Sequence, residues 1–331
     1  MKKILLISNF DTKKNPLSGI FFYNLLDKLD RKGNFQFEHL VFSKLNTISS
    51  ILRTIKIARN TKSDFLHAQY GGMTGFVSLF VRVKYKRLIT LRGSDFYLDS
   101  SSLFSFNFLQ SLLTCLLTRI SLIFYNKIFV VSHRMRNDFF MNLFKYKVSV
   151  ITDGCSDKKF QILDRDYCCN YLGLNPKKVY IGVAYADISV KMKRFDFVDR
   201  VSKKFVSDHP NVQLIVMKDI KHDELVYFYN CLNYFLLASD YEGMPNVIKE
   251  SMMSGIPFIS TDVSDLKNFE CVKNELCFVC KRTESEFLYY MNLLLESDFS
   301  RETRNLLRKE AQQLFGLDFC LELIEQEYYQ I

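Results

Sequence analysis

Two glutamates eight residues apart lie in the stretch of this sequence with the clearest chemical pattern. Between Glu242 and Glu250 stands Gly243, which permits a tight turn and a close backbone approach to a ligand. Pro245 suits the first turn of a helix, because the N–H that proline lacks has no helical partner there. The stretch therefore predicts a strand, a turn and a helix whose free N–H groups attract phosphate or developing negative charge. The carboxylates can accept hydrogen bonds from hydroxyls, although Glu250 by itself is more typical of an ordinary surface helix.

Short apolar runs that alternate with helical patterns predict the elements that position these glutamates. In the first half of the chain the predicted strands are residues 2–8, 37–42, 65–67, 88–91, 127–131 and 148–151. A second series has predicted strands at residues 179–184, 212–217, 234–238, 258–260 and 276–279. This alternation predicts two doubly wound α/β domains, at residues 1–160 and 161–315. Residues 316–331 are predicted to form a helix that packs back on the first domain.

The composition excludes several classes of protein. Apolar residues make up 48% of the chain and Gly and Pro are few, which argues against a largely disordered protein. The nine cysteines lack the spacing of a disulfide framework, and the N-terminal apolar run is too short for a signal peptide. We therefore expect a reducing, cytoplasmic compartment. Residues 100–118 carry no charge, but their many hydroxyl and amide side chains argue against a membrane span.

The charge is unevenly distributed along the chain. Residues 1–150 contain 23 Lys and Arg against 8 Asp and Glu, a balance of +15, whereas the remainder has a balance of −6. A basic half attracts nucleic acid, an anionic membrane surface or a phosphorylated substrate, and charge alone does not choose among them. Since no nucleic-acid-binding motif accompanies the charge, we expect no nucleic-acid partner.

Several short segments occur in an order and spacing that resemble one enzyme family. They are DFLHAQY at 64–70, TLRGSD at 90–95, VSHRM at 131–135, VITDG at 150–154, KRFD at 193–196 and the string that contains the two glutamates. Together they resemble the motifs of the family 4 retaining glycosyltransferases, and among these the members of the teichuronic acid biosynthesis type. The resemblance implies the GT-B fold, in which two Rossmann-like domains face each other across a cleft.

The resemblance also implies roles for individual residues. The implied catalytic residues are Glu242, which would orient the donor sugar, Lys193 and Asp95. The implied donor-binding residues are Arg194, Gly243, Met244, Pro245, Asn246, Val247 and Glu250. Of these, Glu250 would bind the ribose. The residues implied to line the cleft or contact the acceptor are Gly19, His67 and Arg92. The resemblance implies that the donor phosphate itself helps to deprotonate the acceptor, so no base on the protein is required. Lys193, Arg194 and the free N–H groups after Gly243 are expected to stabilise the leaving diphosphate without a metal or another cofactor.

Two departures from the family pattern leave an alternative open. Many family members have an Arg about five residues before the lysine of the KRFD segment, but residues 184–192 contain no Arg, and Lys191 is the only other cation there. Thr152 and Asp153 replace the Pro-Asn pair that the family has before its glycine. A catalytically silent nucleotide-sugar-binding or scaffold protein is therefore the alternative to an enzyme, although the intact lysine and glutamates argue against it.

Other patterns have ordinary structural interpretations. Asp164 and Asp166 form a D-x-D pattern, but they lie near the domain join, where a solvated charge cluster is the favoured interpretation. Cys277 and Cys280 have C-x-x-C spacing without a second pair, which indicates buried structural cysteines rather than a zinc site. The aromatic-rich residues 103–129 are predicted to be core, with docking on lipid as the alternative.

The resemblance and the charge pattern together predict a hexosyltransferase with a nucleotide-sugar donor, expected to be UDP-linked. Its acceptor would be a polyprenyl-linked or growing saccharide in the assembly of bacterial lipopolysaccharide O-antigen or capsule. The predicted location is the cytoplasmic face of the inner membrane, where the basic half would contact anionic lipid.

Overall fold

A computed structural model describes residues 1–11, 19–42, 48–98, 106–185, 189–297 and 300–330. The chain divides into two compact units, one of Met1–Gly154 with Cys320–Ile331 and one of Cys155–Phe319. Each unit contains one parallel sheet with helices along it, which confirms the predicted α/β class with two Rossmann-like domains. Within the described ranges, no helix has the length and apolarity needed to cross a membrane.

The first unit is built on a six-stranded parallel sheet. Its strands are β1 (Lys3–Ser8), β2 (Gln36–Val41), β3 (Phe65–Ala68), β4 (Arg87–Leu91), β5 (Lys127–Val130) and β6 (Val148–Val150). Its helices are α1 (Ile20–Lys32), α2 (Ile48–Asn60), α3 (Gly72–Ser78), α4 (Phe106–Leu122), α5 (His133–Arg136) and α6 (Phe139–Asn142). The strand order is β2-β1-β3-β4-β5-β6. The chain therefore reverses its direction across the sheet between β1 and β3.

The second unit is built on a five-stranded parallel sheet. Its strands are β7 (Val179–Ala184), β8 (Val212–Met217), β9 (Tyr234–Leu237), β10 (Phe258–Thr261) and β11 (Phe278–Cys280). Its helices are α7 (Arg165–Tyr171), α8 (Phe195–Asp208), α9 (Leu225–Cys231), α10 (Asn246–Met253), α11 (Glu270–Lys273), α12 (Glu284–Glu296) and α13 (Arg301–Phe315). The strand order is β11-β10-β9-β7-β8, so the reversal here lies between β7 and β9.

The predicted strands match the observed ones to within two residues at each end. In the second unit the sheet is buried on both faces, because successive side chains of a strand point to opposite sides. Phe235 and Phe258 pack into one apolar cluster, whereas Leu236 and Ile259, their neighbours in sequence, pack into another. Strands buried on both sides read as continuous apolar runs, which is the pattern that located them in the sequence.

The division between the units differs by a few residues from the predicted bounds of 160 and 315. Residues 155–160 belong to the second unit, because the backbone N–H of Cys155 donates to Phe315 (2.7 Å) and Arg308 donates to the carbonyl of Asp157 (2.7 Å). The last helix, α14 (Leu317–Gln330), begins in the second unit and continues into the first. There Glu325 accepts hydrogen bonds from Lys32 (2.7 Å) and Asn34 (3.0 Å).

Candidate active site

The reversal of strand order in the second unit marks its candidate site. Strands β7 and β9 are neighbours in the sheet, but the chain leaves β7 towards β8 and returns to β9 on the other side. The loops that follow β7 and β9 therefore diverge and leave a crevice at the carboxyl ends of the strands, where open α/β sheets bind ligands. Each loop leads into a helix, α8 after β7 and α10 after β9, whose N-terminus carries free N–H groups.

The string that contains the two glutamates forms the predicted strand, turn and helix. Strand β9 ends at Leu237, and α10 begins at Asn246. Pro245 stands one position earlier than expected, at the N-cap, where it keeps an extended conformation (φ −70°, ψ 118°). The backbone bonds of α10 begin with Ile248 and Lys249, which both donate to Pro245. The N–H groups of Asn246 and Val247 precede these bonds, so they are the donors that the helix end offers to an anion.

Lys193 and Glu242 form an ion pair at this edge of the sheet. The Lys193 ammonium contacts Oε1 of Glu242, and the same oxygen accepts a hydrogen bond from the Ser239 hydroxyl (2.8 Å). Lys193 comes from the loop after β7 and Glu242 from the loop after β9, and the backbone N–H of Asp240 joins the two loops by donating to Met192 (2.8 Å). The structure thus brings together the lysine and the glutamate that the resemblance implied to be catalytic.

Asp240 holds two further cations at the same edge. Nε of Arg194 lies 2.9 and 2.8 Å from the two carboxylate oxygens, and a guanidinium nitrogen of Arg282 contacts one of them. Arg194 caps α8 in the left-handed conformation (φ 51°), which costs a non-glycine residue on the order of 1 kcal/mol. Backbone strain of this kind is concentrated at functional sites, and here the bond to Asp240 holds the strained residue in place.

Glu250 lies on α10, with one partner on each carboxylate oxygen. The hydroxyl of Tyr229 donates to Oε2 (2.9 Å), and Nε2 of His222 is 3.5 Å from Oε1. Burial raises the pKa of Tyr229 well above its ordinary value, and the negative charge of Glu250 raises it further. Tyr229 therefore acts as a neutral donor that fixes the orientation of Glu250. These contacts show that Glu250 does not stand on an ordinary solvated helix face, which was the alternative for this residue.

The other metal and cysteine patterns have structural roles. The Asp164 side chain caps α7 by accepting from the backbone N–H of Tyr167 (2.7 Å), and within the described ranges no group of three or more His, Cys, Asp or Glu is placed to hold a metal ion. Cys277 and Cys280 are both buried, free thiols. Burial raises the pKa of Cys280 to about 12, so this thiol stays protonated and unreactive. The expected metal independence of the reaction stays a prediction.

In the first unit, Asp95 and Arg92 lie together at the carboxyl end of β4. The buried Asp95 carboxylate accepts hydrogen bonds from the backbone N–H groups of Gly71, Arg92 and Gly93, each at 2.9 Å. Desolvation by burial raises its pKa. Because both oxygens are occupied by backbone and the residue has no exposed surface, Asp95 fixes two loops rather than reaching a substrate. We correct the expectation of a catalytic Asp95 to that of a positioning residue.

Arg92 is held from several sides in the same unit. Its guanidinium donates to Asp153 through Nε (2.9 Å) and to the Gln69 side chain (3.0 Å), and it lies over the ring of Phe21 (4.8 Å to the centroid). Gly19 caps α1 nearby with a positive φ of 68°, where an added Cβ would lie 2.4 Å from the ring of Phe10. The proposed acceptor contacts of Arg92 and Gly19 stay predictions, and residues 12–18 of the loop before Gly19 are outside the described residues.

His67 does not line an open surface. Its Nδ1 is 2.6 Å from the hydroxyl of Tyr328 on α14, and its Nε2 is 2.7 Å from the hydroxyl of Thr90. Burial lowers the pKa of His67 to about 3, and the charge of Arg92 contributes in the same direction. The neutral ring with two hydrogen-bond partners holds α14 against the sheet. We therefore correct the expectation that His67 lines a cleft, since only 2% of its surface is exposed.

Asp240 and Arg282 are two residues of the site that the sequence motifs did not predict. Asp240 stands within the recognised string, but no role was assigned to it. Arg282 follows β11, whose carboxyl end lies on the same edge of the sheet as those of β9 and β10. That shared edge was the available signal, because a cation that follows any strand of a parallel sheet is a candidate for the site.

A family model matches part of the second unit. Residues 199–297, which include Asp240, Glu242, Glu250 and Arg282, match the family model for Glycosyl transferases group 1. The protein is a glycosyltransferase. No curated protein sequence matches this glycosyltransferase.

Solved structures show which fold the glycosyltransferase has. Sucrose-phosphate synthase from Thermosynechococcus elongatus is similar, with a TM-score of 0.78 and 14% identity over 100% of this chain and 99% of that one. Anabaena HepE in complex with UDP and glucose has a TM-score of 0.72 and 11% identity, with full coverage of both chains. A glycosyltransferase from Rickettsia africae has a TM-score of 0.67 and 14% identity over 99% of this chain and 98% of that one. At such identities the likeness shows the fold alone, which is the expected GT-B fold.

Proposed function

We propose that this glycosyltransferase transfers a hexosyl group from a UDP-linked sugar with retention of the anomeric configuration, as family 4 enzymes do. One observation carries the proposal: Lys193, Arg194 and Arg282 meet at the carboxyl edge of the second sheet, beside the N-terminus of α10. Three cations and a helix N-terminus suit a diphosphate, which carries charge on both phosphates. The complex of Anabaena HepE with UDP-glucose supports a uridine nucleotide as the donor.

The reaction needs stabilisation of the leaving group more than it needs a base on the protein. The bond between the sugar C1 and the phosphate oxygen breaks, and the acceptor hydroxyl oxygen forms the new bond to C1. The acceptor proton passes to an oxygen of the leaving diphosphate. The three cations and the N–H groups of Asn246 and Val247 stabilise the negative charge that develops on that diphosphate.

The carboxylates of the site hold its cations in place before the donor binds. Asp240 lies between Arg194 and Arg282, and Glu242 contacts Lys193, so the repulsion among the cations is offset in the free protein. When the diphosphate arrives, it takes over part of this role. Glu242 is then available to accept hydrogen bonds from the hydroxyls of the donor sugar. Glu250, oriented by Tyr229, accepts from the ribose hydroxyls.

The proposed acceptor is a polyprenyl-linked or growing saccharide in the assembly of a bacterial surface polysaccharide, such as the O-antigen of lipopolysaccharide or a capsule. The sequence motifs, which resemble those of the teichuronic acid biosynthesis type, support this class. The basic balance of residues 1–150 supports a place at the cytoplasmic face of the membrane, where such acceptors carry pyrophosphate and lie among anionic lipids.

The donor is tested by thermal unfolding with a panel of nucleotides and nucleotide sugars. A ligand that binds only the folded state raises the unfolding temperature, and saturation at about 100 times Kd stabilises by about 2.7 kcal/mol. We expect UDP and one UDP-sugar to raise the temperature in the wild type and to lose most of this effect in Lys193→Ala. Arg200→Ala is the matched control, because Arg200 is an exposed cation of α8 paired with Glu284 outside the site. Stabilisation by a purine diphosphate alone would overturn the uridine donor.

A further inference from the structure

Helix α4 of the first unit exposes its most apolar side chains to solvent. A row of leucine, isoleucine and phenylalanine follows the helical period along one side and continues into the turn after the helix, with 38% to 60% of each residue exposed. The row consists of Leu109, Leu112, Leu113, Leu116, Ile120, Ile123 and Phe124, and we name it the α4 apolar face. Within α4 the sequence has a single charge, Arg119.

The buried side of α4 consists mainly of small and hydroxyl side chains, with Leu122 at its end. Thr118, which is fully buried, accepts a hydrogen bond from the backbone N–H of Gly72 (2.6 Å) and donates to the carbonyl of Asp95 (2.7 Å). The glycines of α3 permit this close approach: a Cβ at Gly71 would lie 2.5 Å from the Thr118 hydroxyl, and one at Gly72 would lie 2.8 Å from the methyl of Thr114. At this contact α4 therefore presents small and hydroxyl side chains to α3, whereas four of its leucines are exposed.

This arrangement is the reverse of that of a helix on a water-covered surface. Such a helix turns its large apolar side chains towards the core and its polar ones outwards. Small and hydroxyl residues at the contact between helices, with leucine on the outside, are typical of helices in apolar surroundings. The prediction that residues 103–129 form core is therefore wrong for the α4 apolar face, although it holds for Thr118, Ser121 and Leu122 on the inner side.

Two segments that carry exposed lysines and tyrosines are hydrogen-bonded to the end of α4 or to the residues just after it. Lys147 connects the segment before β6 to the end of α4, because its buried ammonium donates to the carbonyls of Leu122 and Tyr125, each at 2.7 Å. Asn126, just beyond, exchanges hydrogen bonds with Arg87 at the start of β4. The exposed residues that directly precede Arg87 and Lys147 in sequence are Lys84, Tyr85, Lys86, Lys145 and Tyr146.

The sequence on both sides of α4 is basic as well. From residue 48 to residue 137 the sequence contains thirteen Lys and Arg but only three Asp and no Glu. Of the three aspartates, Asp95 is buried and Asp64 accepts a hydrogen bond from the backbone of Lys3 (2.9 Å). Asp99 lies outside the described residues. An apolar face with cations and tyrosines at one end matches the chemistry of an anionic bilayer surface, where acyl chains lie beneath negative headgroups.

We propose that the α4 apolar face docks on an anionic lipid bilayer, with α4 lying in the plane of the interface and Lys84, Lys86 and Lys145 at the level of the headgroups. The leucines enter the boundary between headgroups and acyl chains, and the lysines pair with lipid phosphates. The contact with lipid is independent of the proposed function. Presentation of the acceptor at this surface rests on the proposed function. The inference assigns the membrane contact to one helix and one turn.

The test is co-sedimentation with vesicles of phosphatidylcholine alone or mixed with phosphatidylglycerol, at low and high salt. We expect binding to the mixed vesicles at low salt and a weaker, remaining component at high salt, because salt screens charges but not apolar contacts. In the variant Leu112→Asn/Leu116→Asn/Ile120→Asn we expect the binding to vesicles that remains at high salt to be weaker by about tenfold or more. The variant Lys84→Gln/Lys86→Gln/Lys145→Gln is expected to lose the preference for anionic vesicles.

Leu306→Asn is the matched control, since Leu306 is 53% exposed on α13 in the other unit and should bind vesicles as the wild type does. All variants should keep the unfolding temperature and its response to UDP, which separates loss of lipid binding from failure of the fold or of the proposed donor site. Failure of the wild type to bind either vesicle type would overturn the proposal. So would a lipid-free dimer that the α4 variant converts to monomer, because a second copy of the chain would then cover the face.

Discussion

Arg282 provides a sharp test of the donor site, because only the structure placed it there. We predict that Arg282→Ala weakens the binding of UDP but leaves the binding of uridine unchanged. The Arg282 guanidinium contacts Asp240, and in the complex it would contact both that carboxylate and the diphosphate. Uridine lacks phosphates, so it serves as the internal reference for the nucleoside part of the site.

The size of the effect follows from the exposure and the partner of Arg282. A hydrogen bond to a charged group contributes about 1.5–3 kcal/mol. The Arg282 side chain is 30% exposed and must give up part of its contact with Asp240, so solvent screening reduces the expected contribution to about 1–2 kcal/mol. The dissociation constant of UDP should therefore rise roughly 5- to 30-fold.

Isothermal titration calorimetry with UDP and with uridine measures both constants. Arg200→Ala again controls for the general loss of one positive charge from the second unit. The affinity for UDP should also depend less on salt in Arg282→Ala than in the wild type, since one screened charge is gone. An unchanged UDP constant, or an equal loss for UDP and uridine, would refute a contact between Arg282 and the diphosphate.

Three further predictions concern the ribose, the metal and the stability of the first unit. Glu250→Ala should weaken donor binding by roughly 1–3 kcal/mol, because Tyr229 and the ribose lose their acceptor; unchanged affinity in calorimetry would remove Glu250 from the site. Sugar transfer should survive excess EDTA, since three cations and a helix end stabilise the leaving group; a loss that Mg²⁺ restores would contradict this. The pKa of His67 is lowered from 6.5 to about 3 by burial, so below pH 6.5 the unfolded chain binds a proton that the folded chain does not. The free energy of unfolding should fall by up to about 1.4 kcal/mol per pH unit from this group in that window. Urea unfolding at pH 7 and pH 5 should therefore show a smaller pH dependence in His67→Asn than in the wild type. An equal fall in the free energy of unfolding in both proteins would count against the buried neutral ring.

The recognisable part of the site is the part that local sequence encodes. Lys193, Glu242 and the turn at Gly243 each stand between a strand and a helix, and the patterns of those elements depend on neighbours within a few residues. Arg282 comes two strands later, and its contact with Asp240 depends on the order of β9, β10 and β11 in the sheet. Strand order is a property of the whole unit, so motif spacing does not contain it.

The same distinction explains the corrected residues. Asp95 and His67 stand in segments that resemble family motifs, and both follow or end strands at the expected edge of the first sheet. Which atoms they contact was decided by backbone and side chains far away in sequence: Gly71 for Asp95, and Tyr328 for His67. A polar residue at the end of a strand can face solvent or satisfy a buried donor, and the choice depends on the loops packed around it.

The amino-acid sequence by itself determined the two α/β units, the eleven strands found among the described residues and the strand, turn and helix around Glu242. The reason is that the alternation of apolar runs and helical periods is a local property. It also contained the apolar and the hydroxyl residues of α4, but not the direction in which each set points. Only the tertiary structure decided that direction. Gly71 and Gly72 at the start of α3 allow Thr114 and Thr118 to approach closely, so this contact takes small and hydroxyl side chains and the row of large apolar residues faces outwards.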